Sequence, residues 1–210
     1  MFESWLTQKN AFIFRITAIQ NLSHILEHGI PCRNCQPQNP NFVNIGGSDI
    51  IEKRDSRVVP LAPYGSLSDY VPFYFAPRSP MLGSIFYHET FPQNDIIHIV
   101  SKASIVQEAN IPFVFTNGHA LMDFSIFRNS LDDLHIIDWE VMRSKYWRVT
   151  EADNDRMRRR MAEFLIHQHF PARLITSIGV KSEEIAVAVK TILDRFALHV
   201  KVNVLPDWYY

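Results

Sequence analysis

Three basic side chains stand close together in a stretch rich in turn-forming residues. Lys53, Arg54 and Arg57 follow a glycine pair, and the aromatic run Tyr70–Ala76 comes soon after them. Guanidinium groups bind phosphate oxygens through paired hydrogen bonds, and aromatic rings stack on nucleobases. The stretch from Asn44 to Met81 therefore predicts a binding site for a ligand that carries both phosphates and rings.

An acidic candidate lies far along the chain from these basic residues. Glu163 has apolar residues on both sides and immediately precedes a run with β-strand character. A carboxylate in such a place is partly removed from water, so it needs a partner or a chemical task. Two interpretations stay open from the pattern alone, a structural ion pair and a catalytic acid.

A second basic cluster consists of Arg156, Arg158, Arg159 and Arg160. It closes the charged segment 151–160, which is acidic first and basic last, as the macrodipole of a helix favours. Four neighbouring guanidinium groups could contact nucleic-acid phosphates, and the proposed contacts are assigned to Arg156 and Arg159. The alternative is a solvated helix face.

Two isolated residues each allow two interpretations. Arg15 interrupts the apolar strand predicted over 11–19, either as an edge residue with its head in water or as a ligand-binding residue at the strand end. His119 follows a tight turn in which Gly118 is the natural residue for a positive φ. A histidine in such a loop has either no task or a place in a site assembled after the strand.

A cysteine motif, Cys32-Arg-Asn-Cys35, has the spacing of one half of a zinc site. Structural zinc requires four ligands, and the chain has no second pair of this kind. The motif predicts either a metal site completed by histidines or two thiols in a loop, and the second interpretation is favoured.

The elements that must position these residues are short strands with helices between them. Strands are predicted at 11–19, 70–76, 96–100, 111–115, 174–180 and 199–205, and helices from Asn21 or Ser23 to Gly29, at 81–86, 151–160 and 182–196. About forty residues after Pro31 show little regular structure, which in a compact domain indicates a binding loop. Pro72 is expected at the start of its strand or on an edge strand.

The fold class that follows is α+β, with a twisted, mostly antiparallel sheet and flanking helices. No GxGxxG or GxxxxGK[ST] phosphate loop is present. The 210 residues, 47% apolar, predict a single domain over 1–210. The net charge of −1 excludes indiscriminate binding to polyanions. Two cysteines and the absence of a long apolar run predict a cytoplasmic protein without membrane contact.

Several segments resemble the DarT family of DNA ADP-ribosyltransferase toxins. The run Asp69–Phe75 followed by Ser79-Pro-Met81 is long enough to be specific, and the order and spacing hold over nearly the whole chain. The other matching segments are Phe14–Thr17, His28-Gly29, Asn44–Gly46, Lys53-Arg54, Gly65–Ser68, Pro112–Thr116, His119-Ala120 and Ala162-Glu163. The resemblance implies an ADP-ribosyltransferase fold that takes NAD⁺, uses no metal, and attaches ADP-ribose to a thymine base in single-stranded DNA.

The resemblance also implies roles for individual residues. Arg54 and Glu163 would be catalytic, under a lid formed by residues 34–57 that lies over NAD⁺. Met81 and His119 would contact the DNA, although Met81 and Tyr74 could also be ordinary core residues. The residues implied in holding NAD⁺ are Arg15, Ile16, Thr17, Asn44, Arg54 and Tyr74.

Two points stay open within this implied mechanism. The family assigns the proton-accepting role to the arginine at position 54, but arginine is a very weak base. Arg54 would better stabilise the deprotonated base or the diphosphate, with His119 assisting. Family members often carry a histidine where this chain has Ala18, and this difference is expected to weaken or rearrange the hold on NAD⁺.

The family further implies a macrodomain antitoxin as partner, and the transferase itself is expected to be a monomer. Three other functions remain to be weighed. One is a transferase of the same fold that acts on RNA or protein. Another is a catalytically silent nucleic-acid-binding module, and the third is a metal-dependent enzyme that uses the two cysteines.

Overall fold

The computed structural model describes residues 5–210. Its strands are β1 Phe12–Ala18, β2 Ile30–Pro31, β3 Tyr70–Tyr74, β4 Ile96–Lys102, β5 Phe113–Thr116, β6 Phe127–Arg128, β7 Glu163–His167, β8 His169–Phe170, β9 Ser177–Val180 and β10 Lys201–Val204. Its α-helices are α1 Leu22–His28, α2 Ser48–Ser56, α3 Pro80–Tyr87, α4 Ala103–Glu108, α5 Trp139–Met142, α6 Arg156–Arg160 and α7 Glu183–Arg195. Short 3₁₀ turns join several of them.

Eight of these strands form one sheet in the order β10-β9-β4-β1-β3-β7-β5-β6, and β2 pairs with β8 in a small second sheet. Every pairing is antiparallel except the parallel pair β9–β10. The predicted α+β class with a mostly antiparallel sheet is confirmed. The apolar run of β4 is buried over its first six residues because β4 lies inside the sheet, with β1 and β9 beside it.

Local signals in the sequence fix the ends of the flanking helices. Gly29 ends α1 with a φ of +76°, a conformation that costs glycine little. The Ser182 hydroxyl caps α7 by accepting a hydrogen bond from the N–H of Ile185, and the helix turns Ala186, Val189 and Leu193 toward the core. The predicted stop and start are thus confirmed.

The sheet opens between β1 and β3. These strands pair at a single position, Phe14 with Tyr74, whereas β1 pairs with β4 at seven positions. Pro72 lies in the middle of β3, an interior strand, so the expectation that it marks a strand start or an edge is wrong. Proline has no N–H to give to a ladder, and beside it β1 and β3 separate. A cavity lies in the opening.

The long stretch after Pro31 contains a helix, α2, which corrects the expectation of little regular structure there. Asp49 lies in its first turn and Lys53 and Arg54 in its last, the order that the helix macrodipole favours. None of its residues is buried. The sequence signal for α2 was therefore missing because a helix without a buried face has no apolar periodicity.

The predicted charged helix over 151–160 is shorter than expected, since only Arg156–Arg160 is helical. Thr150 and Asp153 form an isolated β-bridge before it, and the acidic residues of this segment turn back onto its arginines. Ion pairs of Asp153 and Asp155 with the arginines of this helix thus add to the order of charge that the helix macrodipole favours. Among residues 5–210, no helix has the length and apolar character that crossing a bilayer demands.

A buried histidine makes the stability of the fold depend on pH. His98 on β4 is fully buried, and its ring nitrogens lie 3.1 Å from the Tyr209 hydroxyl and 3.0 Å from the Pro77 carbonyl oxygen. Burial lowers its pKa to about 4, against 6.5 for an ordinary histidine. The unfolded chain therefore binds a proton first as the pH falls, and His98 stabilises the fold fully only above pH 6.5.

We expect acidification from pH 7 to pH 4.5 to remove about 2 to 3 kcal/mol of unfolding free energy through His98 alone. Urea unfolding at the two pH values, with His98→Gln as the non-titrating control, measures this contribution. The variant should lose less stability on acidification than the unmodified chain. Equal losses in both proteins would show that His98 does not carry the effect.

Candidate active site

The two charged residues singled out from the sequence meet in one ion pair. Arg54 on α2 donates from Nη1 to Oε2 of Glu163, the first residue of β7, over 2.9 Å. The Glu163 side chain is only 2% exposed and that of Arg54 12%. Because this salt bridge is shielded from water, neighbouring protein groups hold both side chains in a fixed orientation, unlike the side chains of an ion pair on the surface.

Backbone groups fix the rest of the acid. Oε1 of Glu163 accepts a hydrogen bond of 3.0 Å from the N–H of Ala120, so each carboxylate oxygen has a donor. The Glu163 N–H donates to the Thr116 hydroxyl oxygen over 3.2 Å, and that hydroxyl donates to the Gly118 carbonyl over 2.6 Å. The turn after β5 therefore holds both the backbone and the side chain of Glu163.

The protonation state of Glu163 follows from these contacts. Burial by itself raises the pKa of a carboxyl group. The charge of Arg54, followed by His119 and the Ala120 N–H, outweighs burial and brings the pKa of Glu163 below its ordinary value. The acid is thus ionised at neutral pH, although it is almost completely buried.

A cavity of about 310 Å³ lies beside this pair, between the opened strands and the lid. Arg15, Asn21, Asn44 and Arg54 supply much of its polar lining. Arg15 donates from Nη1 to the Pro72 carbonyl over 2.9 Å. Burial first, and then the positive charge of Arg54, lower the pKa of Arg15 to about 10. Two guanidinium groups thus converge on one cavity, as an anionic ligand requires.

One donor at this cavity has no partner. Within the part of the chain that the structure describes, Nη2 of Arg54 is buried and makes no hydrogen bond. A buried unpaired donor is costly, and functional sites are one of the few places that retain it. Arg54 itself lines the cavity, so this unpaired donor belongs to a side chain that a ligand there would contact.

The lid is attached to the sheet by Asn21. Its side-chain amide donates to the Val43 carbonyl and accepts from the Val43 N–H, both over 2.9 Å. The same amide donates to the Thr17 hydroxyl over 3.0 Å. The Thr17 side chain is therefore already hydrogen-bonded within the protein, and Ile16 is buried on β1. If either residue contacts NAD⁺, it does so through its backbone, and this contact stays a prediction.

Further candidates lie close to the ion pair. Tyr74 on β3 stands directly opposite Glu163 in the β3–β7 register, and its hydroxyl is 3.9 Å from the sulfur of Met81. Burial, and then the Glu163 carboxylate, raise the pKa of Tyr74, so its hydroxyl stays protonated. A Cβ built on Gly46 would stand 3.5 Å from the Met81 methyl group, which places Met81 against the lid.

Asn44 and Ala18 are the remaining residues that the sequence raised on the NAD⁺ side. Asn44 lines the cavity, and its side-chain oxygen accepts from the N–H of Gly46 over 3.0 Å, which shapes the lid. Ala18 is fully buried at the end of β1. A larger side chain at that position would need space that this fold fills with other residues.

His119 is half-buried beside Glu163 and Arg54. Burial lowers the pKa of His119. The negative charge of Glu163 raises this pKa and the positive charge of Arg54 lowers it, and the net result is a pKa below the ordinary value. The ring is therefore neutral near pH 7. Nδ1 accepts a hydrogen bond of 3.1 Å from the N–H of Leu121. The neutral ring therefore carries its hydrogen on Nε2, which makes Nε2 a donor and not a base.

Gly118 in the same turn does not take the positive φ that the sequence suggested. Its hydrogen instead leaves room for the Arg158 guanidinium, which would overlap with any side chain there. A glycine therefore suits position 118 because it has no side chain, and not because of its backbone conformation.

The arginines of the second cluster are not among the residues that line the cavity. Arg159 pairs with Asp138 and Asp153, Arg158 forms two 2.6 Å bonds to Asp155, and Arg156 donates to the Ser144 hydroxyl over 2.8 Å. Arg160 is fully buried and donates to the carbonyls of Val141, Met142 and Ser144. A phosphate contact by Arg160 is wrong for this reason, and contacts by Arg156 and Arg159 stay predictions.

The two cysteines are free thiols whose sulfur atoms lie 2.8 Å apart, with Cys32 on the cavity wall. Among the residues described, no three or more His, Cys, Asp or Glu side chains are grouped so that they could hold a metal ion. The thiol interpretation of the motif thus fits the structure.

Comparisons with known proteins agree with this geometry. The family model described as the ssDNA thymidine ADP-ribosyltransferase DarT matches residues 14–210. A DNA ADP-ribosyl transferase of Thermus aquaticus is 40% identical to this chain, in an alignment that covers 94% of this chain and 88% of the relative. A DNA ADP-ribosyl transferase-DNA ADP-ribosyl glycohydrolase fusion protein of Thermosipho africanus is 31% identical over 93% of this chain and 48% of its own.

Two solved structures of DarT from Thermus sp. 2.9 share the fold. The complex with ADP-ribosylated ssDNA has a TM-score of 0.90 and 36% identity, and covers 96% of this chain and 97% of its own. The complex with NAD⁺ has a TM-score of 0.85 and 34% identity, with both chains fully covered. The expected fold is thereby confirmed.

Proposed function

This chain belongs to the DarT family of single-stranded DNA thymidine ADP-ribosyltransferases, and we propose that its catalytic centre is the ion pair of Arg54 and Glu163. It transfers ADP-ribose from NAD⁺ to a thymine base in single-stranded DNA, releases nicotinamide, and acts as the toxin of a toxin–antitoxin system. One observation carries the assignment of the centre: a buried, ionised carboxylate with a donor on each oxygen stands beside a cavity whose lining includes Arg15 and Arg54.

The residues around the cavity fit NAD⁺. Arg15 and the unpaired Nη2 of Arg54 can bind the diphosphate, and Asn44 offers further hydrogen bonds. Tyr74 and Met81 supply an aromatic face and a thioether for a ring. When bound, NAD⁺ supplies an ADP-ribosyl group on a nicotinamide that leaves with the bonding electron pair.

Glu163 provides electrostatic stabilisation at the reacting ribose. Positive charge develops on that ring as nicotinamide departs, and an ionised carboxylate beside it lowers the energy of the transition state. The two hydrogen bonds to Glu163 orient it before the reaction, so little reorganisation is needed. Its lowered pKa keeps it charged while it does so.

His119 and Arg54 act on the DNA base. The thymine ring nitrogen that attacks the ribose must give up its proton. While the Leu121 N–H donates to Nδ1 of His119, Nε2 carries a hydrogen, so His119 cannot accept this proton at Nε2. We assign to Nε2 of His119 a hydrogen bond to a base oxygen. The proton of the ring nitrogen leaves to water as the bond to the ribose forms, and Arg54 stabilises the negative charge that develops on the base with its positive charge.

The partner proteins follow from the relatives. The fusion of a transferase to a DNA ADP-ribosyl glycohydrolase in Thermosipho africanus supports a macrodomain antitoxin that removes the modification made by this chain. We further propose that the chain acts as a monomer in the cytoplasm and that residues 1–210 form one domain. The cavity and the ion pair are built by one chain, which supports the monomer.

The decisive experiment incubates the protein with NAD⁺ and short single-stranded oligonucleotides with and without thymidine. Mass spectrometry should show one added ADP-ribosyl group on thymidine-containing DNA and release of nicotinamide. Duplex DNA should react less, because removing a base from its stack costs energy.

Matched RNA and protein acceptors and a metal chelator complete the test. Modification of RNA or protein with unmodified DNA would favour a transferase of the same fold with another acceptor. DNA binding without nicotinamide release would favour the silent binding module, and loss of activity with chelator would favour a metal-dependent reaction.

A further inference from the structure

We propose that Arg57 is a positioning residue that fastens the 119–123 loop to α2, so that Arg54 and the Ala120 N–H reach the two oxygens of Glu163 together. The proposal rests on the function given above, because it concerns how the catalytic carboxylate is held. Arg57 does not contact Glu163 and acts through the loop.

Arg57 stands at the C-cap of α2 in an extended conformation, with its side chain over the 119–123 loop. Nε donates to the Ala120 carbonyl over 3.3 Å and Nη2 donates to the Met122 carbonyl over 3.1 Å. Nη1 lies 2.8 Å from the Asp123 carboxylate. Only a planar guanidinium presents donors at these three positions at once.

Ala120 connects the Arg57 guanidinium to the Glu163 carboxylate. Its carbonyl accepts from Arg57 on the lid side, and its N–H donates to Oε1 of Glu163 on the sheet side. The carbonyl and the N–H of Ala120 belong to two adjacent planar peptide units that share its Cα, so the hydrogen bond to the carbonyl restricts the position of the N–H through only two backbone dihedral angles. The loop position is therefore set from the lid.

The same helix delivers the other donor to Glu163. Arg54 lies in the last turn of α2 and Arg57 is its C-cap residue, so the same end of the helix carries both side chains. Since α2 buries none of its residues, polar contacts of this kind have to hold it in place. Arg57 thus aligns two elements at once, the helix that carries Arg54 and the loop that carries Ala120 and His119.

The carbonyl bonds and not the ion pair carry this role. The Asp123 side chain is 94% exposed, and ion pairs in water contribute little. The Ala120 residue is fully buried, so its carbonyl has no water to replace a lost guanidinium donor.

The test compares Arg57→Ala and Arg57→Lys with two controls, Glu52→Ala on the exposed side of α2 and Asp123→Asn. The measurements are kcat for ADP-ribosyl transfer to a thymidine-containing oligonucleotide at saturating NAD⁺ and DNA, its pH profile, and the thermal midpoint. We expect kcat to fall about 10- to 100-fold in Arg57→Ala, since a displacement near 1 Å has effects of this size. Arg57→Lys should recover little, and both controls should stay within about twofold.

The pH profile separates positioning from stability. The groups facing Glu163 are Arg54, His119 and Tyr74, together with the Ala120 N–H. Loosening Arg54 and the N–H favours the protonated acid, so the acid limb of kcat in Arg57→Ala should move to higher pH.

Several outcomes would overturn the proposal. These are an unchanged kcat and acid limb in Arg57→Ala, even with a lower thermal midpoint; full activity of Arg57→Lys; and an Asp123→Asn variant as impaired as Arg57→Ala. An unmodified protein that does not modify DNA would instead overturn the proposed function itself.

Discussion

Replacing Glu163 with glutamine is expected to reduce ADP-ribosyl transfer to thymidine-containing single-stranded DNA by about 10²- to 10³-fold, and Glu163→Ala to abolish it. Glutamine keeps the size of the side chain and an oxygen for the Ala120 N–H, but it removes the charge that opposes the cationic ribose. Labelled NAD⁺ and mass spectrometry of the oligonucleotide measure the loss directly.

Stability has to be controlled in this comparison. Removing one partner of a buried ion pair costs about 3 to 5 kcal/mol, so thermal unfolding of both variants must precede the assays. Calorimetric titration with NAD⁺ supplies a second control, because Glu163→Gln should still bind the dinucleotide through Arg15 and Arg54. Transfer by a folded Glu163→Gln variant at a rate near that of the unmodified protein would remove Glu163 from the mechanism.

Arg54→Ala is expected to be nearly as damaging as the loss of the acid. The change removes the partner of Oε2, and with it the main influence that keeps the pKa of Glu163 low inside the protein. It also removes the unpaired Nη2 donor from the cavity. Both kcat and the apparent affinity for NAD⁺ should therefore fall, and residual activity should need a higher pH to keep Glu163 ionised.

The matched variants for this prediction are Arg54→Lys and Arg173→Ala. Lysine retains the charge without the planar fork, so it should restore NAD⁺ affinity more than kcat. Arg173 is exposed and does not line the cavity, so it reports the general effect of losing one positive charge. A loss of less than threefold in Arg54→Ala would contradict its assignment.

The parts of the fold that sequence could predict are those with local signatures. Apolar runs marked the strands, and Gly29 and Ser182 marked helix ends, since conformation and capping depend on the residue itself. The run Asp69–Phe75 resembles the DarT family, and that resemblance implied that Arg54 and Glu163 belong to the same catalytic site. Their contact across 109 residues of chain needed the structure.

The parts that sequence could not supply depend on backbone groups and on long-range pairing. The Ala120 N–H that holds Glu163, and the carbonyls that bind Arg57, belong to every residue alike and leave no sequence pattern. The pairing of Arg159 was not predicted from the sequence, because one of its aspartate partners, Asp138, lies outside the charged segment 151–160. Pro72 was misplaced because an interior proline is tolerated only where the ladder opens.

The lack of any buried side chain on α2 has a consequence for how substrate enters and product leaves. Polar contacts join this helix to the body, so detaching the segment exposes little apolar surface and leaves the hydrophobic core closed, while it breaks the buried ion pair of Arg54 and Glu163. An opening of this segment is therefore a local event, and the polar contacts of Arg54 and Arg57 determine its free energy.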